Sequence, residues 1–163
     1  MIFTTKAEYG VRLLVELGRH HEDGSPVSLK AISEAEGLPL AYLERIVALL
    51  KKAALVESTR GAHGGYRLSR PAESITMDEV VLALEGVVAP MSCFMDDGDD
   101  DDVDRKGVLC SHVADHGHGC ATKLLWTRVQ GGVIKALAQT TLAELVAFHE
   151  RQVAPALHEP VGA

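Results

Sequence analysis

The stretch Leu55-Val56-Glu57-Ser58-Thr59-Arg60-Gly61-Ala62-His63-Gly64-Gly65-Tyr66-Arg67-Leu68-Ser69 holds two short alternating runs around a glycine-rich turn. Alternation with period two puts successive side chains on opposite faces, and clustered glycines between two such runs close a β-hairpin. What precedes the hairpin decides the fold. Ser28 stands ahead of Leu29 to Glu36, where Leu29, Ile32 and Ala35 share one helical face, and Gly37 supplies the stop. Pro39 or Leu40 then opens a second helix carrying Leu43, Ile46, Val47, Leu49 and Leu50. Two short helices joined by a tight glycine-containing turn read as a helix-turn-helix, and a hairpin directly behind it makes a winged helix.

Working outward, Thr5 followed by Glu8 reads as a capping box opening a helix to about His20, with Tyr9, Val11, Leu13, Leu14, Val15 and Leu17 as its apolar set. Glu22 to Pro26 is a turn cluster. Downstream, Pro71 stops the second strand, and Thr76 with Glu79 caps a helix to about Glu85. Periodicity disappears from Ala89 to Gly119. After Cys120 a helical pattern resumes with Leu124, Leu125, Trp126, Val129, Val133, Ile134 and Leu137. Gly131-Gly132 interrupts it, at about 1 kcal/mol per glycine relative to alanine. Thr141 to Val146 begins a last short helix, and the tail from Pro155 to Ala163 frays. The expected fold is mainly α with a small β-hairpin. It comprises a winged helix-turn-helix domain over 1–86 and a cysteine-containing loop with an acidic insertion over 87–120. A dimerisation helix and a C-terminal helix follow over 121–150, then a flexible tail over 151–163.

Composition bounds the class. The 163 residues suit one core with an appended arm, and 47% hydrophobic content excludes a wholly disordered chain. No run of about 18 apolar residues is present to span a bilayer, and Met1 to Glu8 lacks the basic-then-apolar order of a secretory signal. Three cysteines, an odd count, argue against a closed disulfide framework and for a thiol or metal role in the cytoplasm. No nucleophile–base pair, phosphate loop or metal-hydrolase motif supports an enzyme. The net charge of −7 taken whole argues against a nucleic-acid partner, but the charge is unevenly spread. Residues 1–70 carry ten Lys/Arg against eight Asp/Glu, and residues 71–163 carry six against fifteen. Within 40–70 there are six basic residues against two acidic ones. Fields decay over about 8–10 Å, so that local excess is what a polyanion meets.

The second helix of a helix-turn-helix presents its N-terminal side chains to base edges. Those positions are Leu40, Ala41, Tyr42, Glu44 and Arg45. Arg45 can address guanine or phosphate, Glu44 can accept from a cytosine amino group, and Tyr42 can reach a phosphate. In the hairpin Arg60 and Arg67 flank Gly61, Gly64 and Gly65, a tip that lets the backbone approach DNA and a cation enter the minor groove. Ser28, Lys51 and Tyr66 complete the candidate contact set for double-stranded DNA. The competing readings are a winged helix used for protein contacts and a basic face that is merely solvated.

Ala41-Tyr42-Leu43-Glu44-Arg45-Ile46, the segment Arg60 to Leu68, and Leu84-Glu85-Gly86 together resemble the Rrf-two family of bacterial transcriptional regulators, which includes the iron–sulfur regulator IscR and the nitric-oxide regulator NsrR. Cys120 with Leu125-Trp126, and Thr141 to Val146, extend the resemblance over about 1–148. It implies a winged-helix homodimer that binds a palindromic operator, more readily a repressor than an activator, and in many members an iron–sulfur cluster that tunes DNA affinity. The apolar stripe from Leu125 to Leu137 suits a symmetric dimer, which would set two recognition helices one DNA turn, about 34 Å, apart.

Cys93, Cys110 and Cys120 lie in the polar loop with sixteen and nine residues between them. Thiolates suit iron–sulfur clusters, and a four-thiolate zinc site needs one cysteine more. The resemblance carries these three onto the family's ligand positions for a two-iron or four-iron cluster. It also carries Glu8 onto a carboxylate ligand of the first helix that reaches across the dimer. Lys123 stands where some members have a ligating histidine, and Arg12 stands where another branch has one. His112, His116 and His118 remain alternative fourth ligands. Plainer readings are open too: Glu8 as a helix cap, the loop histidines as exposed polar residues, and the cysteines as a thiol switch or a zinc site, in a cluster-free thiol- or ligand-responsive repressor. Seven aspartates from Asp96 to Asp104 read as a solvated insertion lying away from DNA, since they lack the glycine and glutamate of a calcium loop.

Overall fold

The structure is a computed structural model that describes residues 3–21, 24–61, 64–87 and 121–156. In chain order its elements are α1 (Thr5–Arg19), α2 (Leu29–Glu36), α3 (Leu40–Lys52), β1 (Val56–Thr59), β2 (Gly65–Leu68), a 3-10 turn (Ala72–Ser74), α4 (Met77–Glu85), α5 (Ala121–Gln139) and α6 (Leu142–Ala156). Two compact units result: one holds α1 to α4, the hairpin and the chain from Leu137 onward, and the other is Val87–Ala136.

In the first unit α1 is central. Its stripe Leu13, Leu14 and Leu17 is buried against Ile32 of α2, Leu43, Ile46 and Leu50 of α3, Val80 of α4 and Leu142 of α6. Each such side chain contributes about 1.5–3 kcal/mol by leaving water. Two glycines let the helices close on α1. A Cβ at Gly10 would sit 2.3 Å from Leu84 Cδ1, and one at Gly18 would sit 2.6 Å from Val146 Cγ2.

The start of α1 differs from the expected Thr5–Glu8 box. Thr4 is the cap, its Oγ1 accepting from Lys6 N at 3.2 Å. The partner acid comes from another helix: Glu85 Oε1 accepts from Ala7 N at 3.2 Å and from the Thr4 hydroxyl, and Lys6 Nζ lies 3.7 Å from its other oxygen. An orphan first-turn N–H is thereby satisfied by the last residue of α4, and Glu8 is left exposed. The Thr76–Glu79 box forms as the sequence suggests, and Thr141 with Glu144 makes a second box where the sequence indicates only a helix start.

α6 is neither short nor part of the arm. It runs from Leu142 to Ala156, taking in Pro155, which the sequence reading places in the frayed tail. Leu142 is fully buried in the winged-helix core. Around it Met77 N donates to Thr140 O at 3.0 Å and Leu142 N donates to Ile75 O at 2.9 Å. In the other unit, α5 is continuous through Gly131-Gly132, where an added Cβ would meet nothing within 4 Å. Leu124, Leu125, Val129 and Ile134 on it are exposed.

Candidate nucleic-acid interface

The helix-turn-helix is built from local chemistry. Ser28 Oγ accepts from Ala31 N at 3.1 Å to start α2, and Gly37 in the left-handed conformation, φ 63°, ends it. Ser33 then fastens the turn, its hydroxyl donating to Leu38 O at 2.5 Å and its carbonyl accepting from Leu38 N at 3.0 Å. Pro39 caps α3, and burial of Leu43, Ile46, Val47 and Leu50 turns Leu40, Ala41, Glu44 and Arg45 outward. Tyr42 is half-buried. Its ring meets Tyr9 of α1 edge-on, with centroids 5.6 Å apart and planes at 86°.

The wing pairs Glu57 with Arg67, Ser58 with Tyr66 and Thr59 with Gly65, antiparallel. A single residue bridges to it, between the turn cluster and the α2 cap, which the sequence reading leaves unassigned. Val27 exchanges two backbone hydrogen bonds with Tyr66, both 2.8 Å, so the wing is tied to the residue ahead of the α2 cap. The available signal is Val27 itself, a lone β-branched residue between Pro26 and Ser28. Gly64 and Gly65 face main chain: a Cβ at Gly64 would lie 2.4 Å from Thr59 O, and one at Gly65 would lie 2.5 Å from Val27 O. Their lack of a side chain thus has a use inside the fold. Gly61, at φ 120° with open space around it, is the tip glycine whose conformation itself excludes most side chains.

The cations divide by what they touch. Arg67 Nε bonds Glu57 Oε1 at 2.5 Å across the strands, and Arg70 pairs with Glu79. Lys51 Nζ lies 2.9 Å from Ser58 Oγ and 5.9 Å from the Tyr66 ring centroid. Among the described residues neither Arg45 nor Arg60 has an ion-pair or hydrogen-bond partner, and both are exposed. Lys52, exposed in the last turn of α3, is a further cation of this face absent from the sequence-based set.

Of the expected metal ligands only Glu8 is described; Cys93, Cys110, Cys120, His112, His116 and His118 lie outside the described residues. The Glu8 side chain is 65% exposed, with Oε1 4.0 Å from Arg12 Nη1. Arg12 looks the other way: its Nε bonds Glu36 Oε2 at 2.8 Å and its Nη2 donates to Glu36 O, engaging the last residue of α2. A cation at a helix C-terminus stabilises exposed carbonyls. So α1 grips α2 through Arg12 and α3 through Tyr9, within one turn of Glu8.

Comparison with known proteins agrees with this geometry. The Rrf2 family, described as iron-dependent transcriptional regulators, matches residues 3–148. The protein rrf2 of Nitratidesulfovibrio vulgaris is 35% identical over 146 residues, covering 90% of this chain and 87% of that one. The structure of CymR, the global cysteine regulator of B. subtilis, superimposes with a TM-score of 0.69 at 31% identity, over 91% of this chain and 98% of the other. That of T. potens IscR superimposes with a TM-score of 0.67 at 30% identity, over 99% and 94%. This chain is therefore a winged-helix transcriptional regulator, and it belongs to the Rrf2 family.

Proposed function

We propose that the chain is a cytoplasmic, non-enzymatic repressor that binds a palindromic operator as a homodimer and senses redox, nitric oxide or iron–sulfur status through a cluster. The observation that carries DNA binding is the pair of exposed guanidinium groups that have no partner among the described residues, Arg45 on the outer face of α3 and Arg60 at the wing. Free cations gain most from replacing condensed counterions on the phosphate backbone. Glu44, Leu40 and Ala41 share the face with Arg45 and would add base readout, while Tyr42 would reach a phosphate. No helix among the described residues is long and apolar enough to cross a membrane. The exposed Leu124, Leu125, Val129 and Ile134 of α5 offer apolar area for a second copy.

For the cluster, the ligands would be Cys93, Cys110, Cys120 and Glu8. Three thiolates with one carboxylate form a donor set that suits iron–sulfur chemistry, and such a cluster supplies a redox- and ligand-sensitive centre when bound. Glu8 fits the part: its carboxylate is exposed and, among the described residues, held only by a 4.0 Å ion pair. The test is anaerobic purification followed by iron and sulfide analysis and visible absorbance, on the full chain and on each Cys→Ser and Glu8→Ala variant. Colourless wild-type protein without iron or sulfide refutes the cluster and leaves DNA binding standing. A second reading, a cluster-free thiol- or ligand-responsive repressor, is favoured by the likeness to CymR, a global cysteine regulator. It requires metal-free protein whose DNA binding is reversed by an oxidant or a small effector.

A further inference from the structure

Lys51 belongs by sequence to the basic face, yet its surroundings point elsewhere. It sits in the last turn of α3, six residues beyond Arg45 and so about 9 Å further along the helix axis. Its exposed side chain reaches the wing: Nζ is 2.9 Å from Ser58 Oγ on β1 and 5.9 Å from the Tyr66 ring centroid on β2. Ser58 and Tyr66 are directly opposed across the hairpin, so one cation spans a single cross-strand pair. Tyr66 in turn holds Val27 by two 2.8 Å backbone bonds, and Gly65 lets that contact close because any Cβ there would strike Val27 O. Position 66 thus joins three pieces of the reading head: the residue ahead of the α2 cap, the wing, and the end of the recognition helix.

We propose that Lys51, seated on Ser58 and Tyr66, is a positioning residue that sets the angle of the wing against the recognition helix, and is not a phosphate contact. DNA recognition requires the α3 face and the wing to meet the duplex together, with Arg45 on one and Arg60 on the other. A wing free to lean presents the same charge with the wrong spacing. Such a loss falls on specific binding and spares the non-specific kind, which depends on charge alone. A phosphate contact behaves oppositely, weakening all sequences alike.

The test uses the full-length protein and two duplexes of equal length, one selected by the wild type from a random-sequence pool and one unselected. Affinities are measured over a salt series for Lys51→Met, Tyr66→Leu and the double variant, with thermal melts to verify folding. Each single variant should bind the selected duplex about two- to fivefold more weakly, the scale of an exposed cation–π contact, and the unselected duplex within about twofold. The double variant should be no worse than the weaker single, because both remove one shared contact. The salt slope should stay at the wild-type value. If Tyr66→Leu does not fold, Lys51→Met alone decides the proposal. The proposal is overturned if Lys51→Met weakens both duplexes alike and flattens the salt slope by about 0.9, the signature of one phosphate contact, or if it changes neither affinity. It rests on the DNA-binding reading: wild-type protein that retains no duplex overturns both.

Discussion

Gly65→Ala separates two uses of the wing glycines. An ideal Cβ at residue 65 falls 2.5 Å from Val27 O, 2.6 Å from Val27 C and 3.0 Å from Ser28 N. All three are main-chain atoms, so no side-chain rotation relieves the clash. Relief requires the Val27 segment to move away, breaking the Val27 N to Tyr66 O and Tyr66 N to Val27 O hydrogen bonds, each 2.8 Å. Two such bonds are worth about 1 kcal/mol each, and residual overpacking adds about 1–2 kcal/mol, so the variant should lose about 2–4 kcal/mol. For a chain of this length that is a fall of roughly 5–15 °C in melting temperature. Urea and thermal unfolding measure it at fixed protomer concentration, because a dimer's stability depends on concentration. The sequence reading instead assigns the glycine to close approach of DNA. A Gly65→Ala protein as stable as wild type within about 0.5 kcal/mol, but deficient in DNA binding, would refute the packing argument and support that reading.

Other perturbations have equally definite outcomes. Arg45→Ala and Arg60→Ala should each flatten the log–log salt slope of DNA affinity by about one, whereas Arg67→Ala should flatten it less, since Glu57 already holds that cation at 2.5 Å; equal slopes for all three, by fluorescence anisotropy, would remove the distinction. Glu85→Ala should cost about 1–2 kcal/mol in urea unfolding by uncapping Ala7 N and releasing Thr4, and Glu85→Gln should recover most of it. Gly131→Ala and Gly132→Ala should each raise stability by about 0.5–1 kcal/mol, because an added Cβ meets nothing within 4 Å; a loss of stability at either site would place a second subunit against that glycine.

What was legible in the sequence is what short-range chemistry writes. The Ser28 cap, the Gly37 stop, the Thr76–Glu79 box, the helix start at Thr141 and the glycine-rich hairpin each depend on residues within a few positions of one another. What escaped depends on chain segments far apart. Thr4 rather than Thr5 caps α1 because the accepting carboxylate comes from Glu85, 78 residues beyond Ala7. Val27 forms a β-bridge because Tyr66 lies beside it, and α6 joins the core because Leu142 fits against α1. No periodicity within 22–27 or 121–150 encodes those partners. The glycines at 64 and 65 show the same limit: residue type revealed the need for close approach, while what approaches is set by tertiary packing.

Charge counting needs the same correction. By sequence, residues 40–70 hold six cations against two acids. In space Arg67 is neutralised by Glu57 within that window, Arg70 by Glu79 outside it, and Lys51 is turned onto the wing. Among the described residues Arg45, Lys52 and Arg60 are left without an acidic partner, with Glu44 exposed beside them. A guanidinium already bonded to a carboxylate releases little on meeting a phosphate, because an acid must be stripped of its partner as the new contact forms. The basic face is therefore smaller than its composition, and its strength depends on where three free cations stand. The contacts that hold those places are Arg12 on Glu36, Tyr9 on Tyr42 and Lys51 on the Ser58–Tyr66 pair. Substitutions there should change which sequences the protein prefers before they change how strongly it binds DNA in general.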